Sequence, residues 1–204
     1  MTTIYLINNT LTMNNLDYPD DTLEQRRQKR ILSIEGEKES EELVNIDYLK
    51  RINVIYSSPY VMAVGTAKYL ARKLELETII TRELGERVLG AIGDKKIRMV
   101  SEMQENDFSY KLSGGESLND VKRRMTCFIN KIKRLEKDKT IAMFTHNVAI
   151  TSYLSEYCTK GFNLDNRLIL NYGEEAIIDG AWDGINIIEI IFEGDNVVSI
   201  KRKK

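Results

Sequence analysis

Lys139-Thr140-Ile141-Ala142-Met143-Phe144-Thr145-His146-Asn147 is the stretch that decides the fold. Its centre is almost continuously apolar, which suits a strand buried on both faces of a parallel sheet. Polar residues follow at once, and Ile150, Leu154 and Tyr157 then recur at helical spacing. Strand, polar turn and helix in that order make half of a βαβ unit, and the flanking sequence repeats the theme. Thr3 to Ile7 reads as a strand opening onto Asn8-Asn9-Thr10. Asn53-Val54-Ile55-Tyr56-Ser57 reads as another, followed by Ser58-Pro59, which predicts a helix N-cap and a first-turn proline. That helix would bury Val61, Val64, Ala67, Leu70 and Leu74.

Further out, Glu77 to Leu84 predicts a third strand and Leu112 to Ser117 a loop. Val121, Met125, Phe128, Ile129, Ile132 and Leu135 predict a long helix. Leu43, Ile46, Tyr48 and Leu49 suggest a helix from Ser33 to about Arg51, and Asn14 to Arg30 a polar surface excursion. Gly184 to Ile200 alternates around Glu193-Gly194-Asp195-Asn196, the pattern of a hairpin. Strands alternating with helices predict an α/β fold, a three-layer sandwich around a mainly parallel sheet with a C-terminal β-hairpin. With 204 residues, no repeat and no linker, residues 1–204 are expected to form a single domain. Ligands of such sheets bind beyond the carboxyl ends of the strands. Asn8, Asn9, Ser57, Ser58, His146 and Asn147 all fall there, and Glu86 follows the third strand.

Thirty basic residues against 31 acidic ones leave a net charge of −1, which argues against a protein built to coat nucleic acid or an anionic membrane. The basic run Lys201 to Lys204 reads as a solvated tail. No stretch approaches the ~18 apolar residues of a membrane span, and Met1 to Asn9 reads as a strand in place of a signal peptide. Cys127 and Cys158 lack metal-like spacing and are expected as reduced core residues in a cytoplasmic protein. No cofactor or metal is expected.

Several segments carry a resemblance. Thr3 to Thr12 is similar to an opening strand that ordinarily ends in Arg-His-Gly-Glu-Thr, and Leu32-Ser33-Ile34-Glu35-Gly36 is similar to a Leu-Thr-x-x-Gly segment. Tyr56-Ser57-Ser58-Pro59 with Ala63, Thr66 and Ala67 resembles Tyr-Ser-Ser-Pro-x-x-Arg-Ala-x-x-Thr-Ala. Glu83 to Gly90 resembles the stretch that holds a catalytic acid, Gly114-Gly115-Glu116-Ser117 precedes a helix, and Phe144-Thr145-His146-Asn147 sits where a second histidine motif belongs. In this order and over almost the whole chain, the motifs resemble the histidine phosphatase (phosphoglycerate mutase-like) superfamily.

The resemblance implies phosphoryl transfer through a nucleophilic histidine, and it fails where that chemistry resides. Asn8 and Asn9 stand where the family has its arginine and nucleophilic histidine, and Met62 replaces the second arginine. Only Glu86 (the acid) and His146 (the second histidine) match. The amide nitrogen of Asn9 shares its lone pair with the carbonyl and cannot carry a phosphoryl group. Loss of a covalent nucleophile costs on the order of a million-fold in rate. Loss of two guanidinium clamps, each worth roughly 1.5–3 kcal/mol, weakens phosphate affinity by roughly two to four decades. The remaining charge, Glu86 beside one imidazole, is expected to be near neutral or slightly negative.

The expected protein is therefore a non-catalytic relative binding a small-molecule ligand or a protein partner, but neither nucleic acid nor membrane, through Asn8, Asn9, Ser57, Ser58, Met62 and Asn147. Self-association is left open, and a structural or immunity-type role is not separable by sequence. The competing reading is a phosphomonoester hydrolase or mutase with a rearranged site. It would use His146 and Glu86, with Ser57, Ser58 or Thr10 as nucleophile.

Overall fold

A computed structural model describes residues 1–13, 20–93, 95–180, 182 and 184–203. The expectation of a polar excursion over 14–19, and with it Pro19, lies outside the described residues, as does Lys204.

Six strands form the main sheet: β1 (Thr2–Asn8), β2 (Val54–Ser57), β3 (Thr78–Ile80), β4 (Thr140–Thr145), β8 (Ile187–Glu193) and β9 (Asn196–Arg202), in the order β3-β2-β4-β1-β8-β9. β1, β2, β3 and β4 run parallel, and the β8–β9 hairpin adds antiparallel to β1. The helices are α1 (Leu23–Lys29), α2 (Ile34–Glu42), α3 (Val61–Leu74), α4 (Ile97–Asn106), α5 (Leu118–Leu135) and α6 (Asn147–Leu154). Alternation along each strand builds two cores. Ile4, Leu6, Ile141 and Met143 face α5 and α6 through Met125, Ile129, Ile150 and Leu154. Tyr5, Ile7, Ala142 and Phe144 face α3 through Ala67 and Leu70, joined by Leu43 and Leu49. Both faces of the sheet are covered, which makes the architecture an α/β sandwich of three layers.

The anticipated strands β1, β2 and β4, helix α5 and the hairpin are present, the last turning at Gly194 with φ +62°. α5 begins with a capping box, in which Ser117 Oγ accepts from the Asp120 amide at 3.1 Å and Asp120 Oδ2 accepts from the Ser117 amide at 3.1 Å.

Other expectations are corrected. The helix after Ser58-Pro59 starts at Val61 with Tyr60 as its N-cap residue, because the chain stays extended through Tyr60 (ψ 134°) while the Ser58 hydroxyl is used elsewhere. The helix expected to reach Arg51 stops at Glu42 and continues as two 3₁₀ segments, Leu43–Asn45 and Asp47–Arg51, divided by extended Ile46. The third strand shrinks to Thr78–Ile80, since Arg82–Leu84 coils to bury Leu84. The polar excursion contains α1, held by a Thr22–Gln25 capping box.

The basic C-terminus is no loose tail: Lys201 and Arg202 pair with Glu189 and Ile188 in the hairpin, and Arg202 bridges to Asp179 at 2.8 Å. Cys127 is exposed on α5 rather than in the core, and half-buried Cys158 lies in the turn after α6; both thiols are free. The sequence reading also lacked α4 and a second, antiparallel sheet of β5 (Thr159–Phe162), β6 (Leu168–Tyr172) and β7 (Glu175–Ile178).

Candidate functional site

Parallel register creates the site. Asn8 lies opposite Thr145, so Asn9 and His146 leave the sheet side by side, the Asn9 amide donating to the Thr145 carbonyl at 3.1 Å. Ser57 lies opposite Phe144 on the other flank of β4, and the Ser58 amide donates to the Phe144 carbonyl at 2.9 Å. Three strand ends thus deliver Asn9, His146 and Ser58 to one spot.

Their side chains form a relay. Asn9 Nδ2 donates to the Thr10 carbonyl at 3.0 Å, which turns Asn9 Oδ1 toward His146 Nδ1 at 3.1 Å. His146 Nε2 meets Ser58 Oγ at 2.8 Å, and that oxygen also accepts the Tyr60 amide at 3.2 Å. The assignment that satisfies every group puts the proton on Nδ1, donating to Asn9, and leaves Nε2 to accept the Ser58 hydroxyl. His146 is only 1% exposed, and the Tyr60 ring packs on it with centroids 4.8 Å apart. Burial pulls its pKa down to about 4, opposed by the Glu86 carboxylate and assisted by Arg27 and Arg124. The imidazole is neutral at pH 7.

Asn8 is tied in as firmly. Its Nδ2 donates to Asn147 Oδ1 at 2.7 Å and to the Gly184 carbonyl at 3.1 Å, while its Oδ1 accepts the Asn186 amide at 2.5 Å. Asn147 opens α6, so Asn8 connects β1 to the helix that follows His146. The relay and this cluster bring together Asn8, Asn9, Ser58, His146 and Asn147. Ser57 and Met62 stand apart. The Ser57 hydroxyl donates to the Ser58 carbonyl at 3.0 Å, and Met62 packs with Leu32 and Tyr60.

Glu86 reaches the neighbourhood without touching His146 through any of the described hydrogen bonds. Its Oε1 accepts the Arg87 amide at 2.8 Å, and it lines a cavity of about 530 Å³ together with Tyr60, Arg82, Glu116 and Arg124. Gly90 and Gly115 let the loop behind it close: a Cβ on Gly115 would stand 2.5 Å from the Leu89 carbonyl oxygen, and one on Gly90 2.5 Å from that of Ser113.

Three arginines that the sequence reading did not place stand near Glu86, accompanied by the carboxylates of Glu24 and Glu116. Arg27 Nη1 donates to Glu24 Oε2 at 3.0 Å and to the Arg87 carbonyl at 2.9 Å, and Glu24 in turn accepts the Tyr60 hydroxyl. Arg124 grips both Glu116 oxygens at 2.8 and 3.2 Å and the carbonyls of Glu83, Gly85 and Glu86. Arg87, 2% exposed, donates to Gln104 Oε1 and to Ser101 Oγ. Sequence reasoning missed all three. Arg87 adjoins Glu86 and was there to be found, whereas Arg27 and Arg124 arrive from helices whose spacing says nothing about Glu86. By contrast Lys95 and Lys96 are exposed, and Arg98 pairs with Glu102 at 2.7 Å on the surface of α4. Among the described residues no three His, Cys, Asp or Glu side chains cluster to hold a metal, and no helix is long and apolar enough to cross a membrane.

Fold and site define an α/β protein of the phosphatase-like class, with its polar constellation beyond the carboxyl ends of parallel strands. The sequence model of the histidine phosphatase superfamily (branch 1) matches residues 18–189, and the chain belongs to that family. The match begins beyond Asn8 and Asn9. No curated protein matches the sequence.

Among solved structures, the chain is similar to mycobacterial glucosyl-3-phosphoglycerate phosphatase in complex with inorganic phosphate (14% identity, TM-score 0.69, covering 99% of this chain and 95% of that one). It is also similar to YhfR of Bacillus stearothermophilus (20%, 0.69, 97% and 94%). A third is a mutant phosphoserine phosphatase from Entamoeba histolytica in complex with phosphoserine (17%, 0.66, 98% and 96%). At such identities the likeness concerns the fold.

Proposed function

We propose that this chain is a non-catalytic histidine phosphatase relative that uses its altered rim to bind a small molecule or a protein partner. One observation carries the reading: both ring nitrogens of the chain's one histidine are spent on Asn9 and Ser58, where the family resemblance calls for a second imidazole beside the first. A carboxamide is both donor and acceptor, so it can fasten a neutral imidazole, but it cannot take a phosphoryl group. Two of the nearby cations, Arg124 and Arg27, are already committed to partners. The donors of Arg124 are directed to Glu116 and three carbonyls, and Arg27 is held by Glu24 and the Arg87 carbonyl. The purified chain is expected to leave a generic aryl phosphate intact from pH 4 to 9. Asn8→Arg, Asn9→His and Met62→Arg together are expected to introduce measurable turnover. Parent turnover that survives purification and disappears in His146→Ala would overturn the proposal, whereas a well-folded triple variant that stays inert would show that the pocket has diverged beyond those three positions.

A second reading draws on the order Ser58–His146–Asn9, which has the roles of a nucleophile, base and orienting group. It would make the protein a phosphomonoester hydrolase with Ser58 attacking and Glu86 as acid. Complete burial of Ser58 and a depressed His146 weigh against it, because neither the nucleophile nor a usable base faces the described cavities. Turnover abolished by Ser58→Ala but unaffected by Cys127→Ala would favour this reading.

A further inference from the structure

Among the described residues, Arg87 is a buried cation of the site with no ion pair. The residue is 2% exposed, its two described side-chain partners, Gln104 and Ser101, are both neutral, and its Nε is buried with no hydrogen-bond partner among the described residues. Leaving a charged donor unsatisfied in the interior is expensive, and native proteins seldom do so without a reason. Burial also lowers the pKa of Arg87 from its usual value, with Glu86 opposing.

Arg87 lines a cavity of about 220 Å³ beneath α4. Asn147 and Val148 line it too, the first two residues of α6, whose N-cap residue His146 supplies no capping side chain. Orphan amides and the positive end of a helix therefore meet a buried guanidinium, an arrangement that favours a negative group. The cavity also holds one acidic residue, half-buried Glu105. Desolvation and Glu102 raise the pKa of that carboxyl, while Arg87 and Lys160 hold it down. Leu118 and Trp182 supply apolar wall, and Ser101, Glu105, Thr151 and Trp182 are shared with a neighbouring cavity of about 490 Å³ whose lining also includes Arg98, Arg167 and Ile178.

We infer that this cavity binds a free α-amino acid, its carboxylate held by Arg87 and the start of α6, its ammonium by Glu105, and its side chain directed past Trp182. One positive pole and one negative pole in a small enclosure match a zwitterion. A phosphate dianion would gain the same Arg87 but would press an additional charge against Glu105. The inference deepens the non-catalytic reading by naming a ligand class, and aryl phosphate turnover would remove that reading while leaving amino acid binding to be measured separately.

Trp182 is the chain's single tryptophan, so its fluorescence reports on the cavity directly. The full chain is titrated with L-serine, L-leucine, acetate, methylammonium and inorganic phosphate. Saturable change is expected with an amino acid, at concentrations at least tenfold below those needed for acetate, methylammonium or phosphate. Arg87→Met and Glu105→Gln should each weaken binding on the order of ten- to a hundred-fold, the scale of one charge-assisted contact. Circular dichroism melts show whether Arg87→Met still folds. Should it not, Glu105→Gln, at a half-buried position, carries the test. No saturable change with either amino acid, phosphate binding as tightly as the amino acids, or a Glu105→Gln protein that binds like the parent would overturn the inference.

Discussion

Lowering the pH tests the buried relay most directly, because the chain has one histidine and its signal cannot be confused with another. The perturbation is a shift from pH 7 to pH 4. In the unfolded chain His146 titrates near 6.5, and in the folded protein near 4. Between those values the unfolded state holds a proton that the folded state refuses, so folding stability rises with pH across the window. This contribution is fully present above pH 6.5 and disappears as the pH falls through 4. A displacement of about 2.5 units at 1.36 kcal/mol per unit amounts to about 3 kcal/mol.

Carboxylates such as Asp120, which the Lys111 ammonium and the Ser117 amide hold well below the usual range, also lose stability in acid. The readout is therefore a difference: urea unfolding of the parent and of His146→Gln at both pH values. The variant forfeits the contacts to Asn9 and Ser58 and should be less stable at pH 7, but the gap should shrink by about 3 kcal/mol at pH 4. Imidazole NMR of the parent fixes the pKa independently. A resonance titrating at 6.5 or above, or a gap that stays constant with pH, would refute the reasoning.

Two further outcomes follow from packing and hydrogen bonding. Asn8→Ala removes the partner of the buried Asn186 amide and of Asn147 Oδ1 and is expected to cost about 2–4 kcal/mol in urea unfolding. Gly115→Ala drives a methyl group into the Leu89 carbonyl and is expected to cost about 1–3 kcal/mol, read by the same assay.

The parts of the fold legible in the sequence are those where burial is symmetric. β1 and β4 are covered on both faces, so their residues are apolar in an unbroken run that cannot be mistaken for an amphipathic helix of the same length. β5, with mostly exposed side chains, and the seven-residue α1, with no buried residue, have no such signature and are set by their neighbours. β3 was overextended for the opposite reason: Thr78 to Thr81 has strand-forming side chains, but Ile79 and Ile80 sit half-exposed at the sheet edge and the chain curls as soon as Leu84 can be buried.

In the site, Asn8, Asn9, Ser58, His146 and Asn147 were legible because strand ends in a parallel sheet must converge. Arg27 and Arg124 were not, because a long side chain crossing from another element leaves no local pattern. Met62 shows the limit of aligning motifs. A position read as a vacant clamp packs with Leu32 and Tyr60 in a third, small apolar cluster.

That filling bears on how a catalytic rim could become a quiet one. Guanidinium groups only donate, so a pocket lined with them keeps unmet donors and mutual repulsion until an anion arrives. Carboxamides both donate and accept. Asn8 satisfies itself between Asn147, Gly184 and Asn186, and Asn9 between Thr10 and His146, with no guest required. Under the non-catalytic proposal, exchanging one-way for two-way groups at positions 8 and 9 would remove both the chemistry and the standing demand for an anion at the strand ends. Arg87 differs from Asn8 and Asn9, since its buried Nε lacks a partner among the described residues. The strand ends thus close on their own side chains, while the cavity beside α6 presents the charged pair for which an amino acid ligand is proposed.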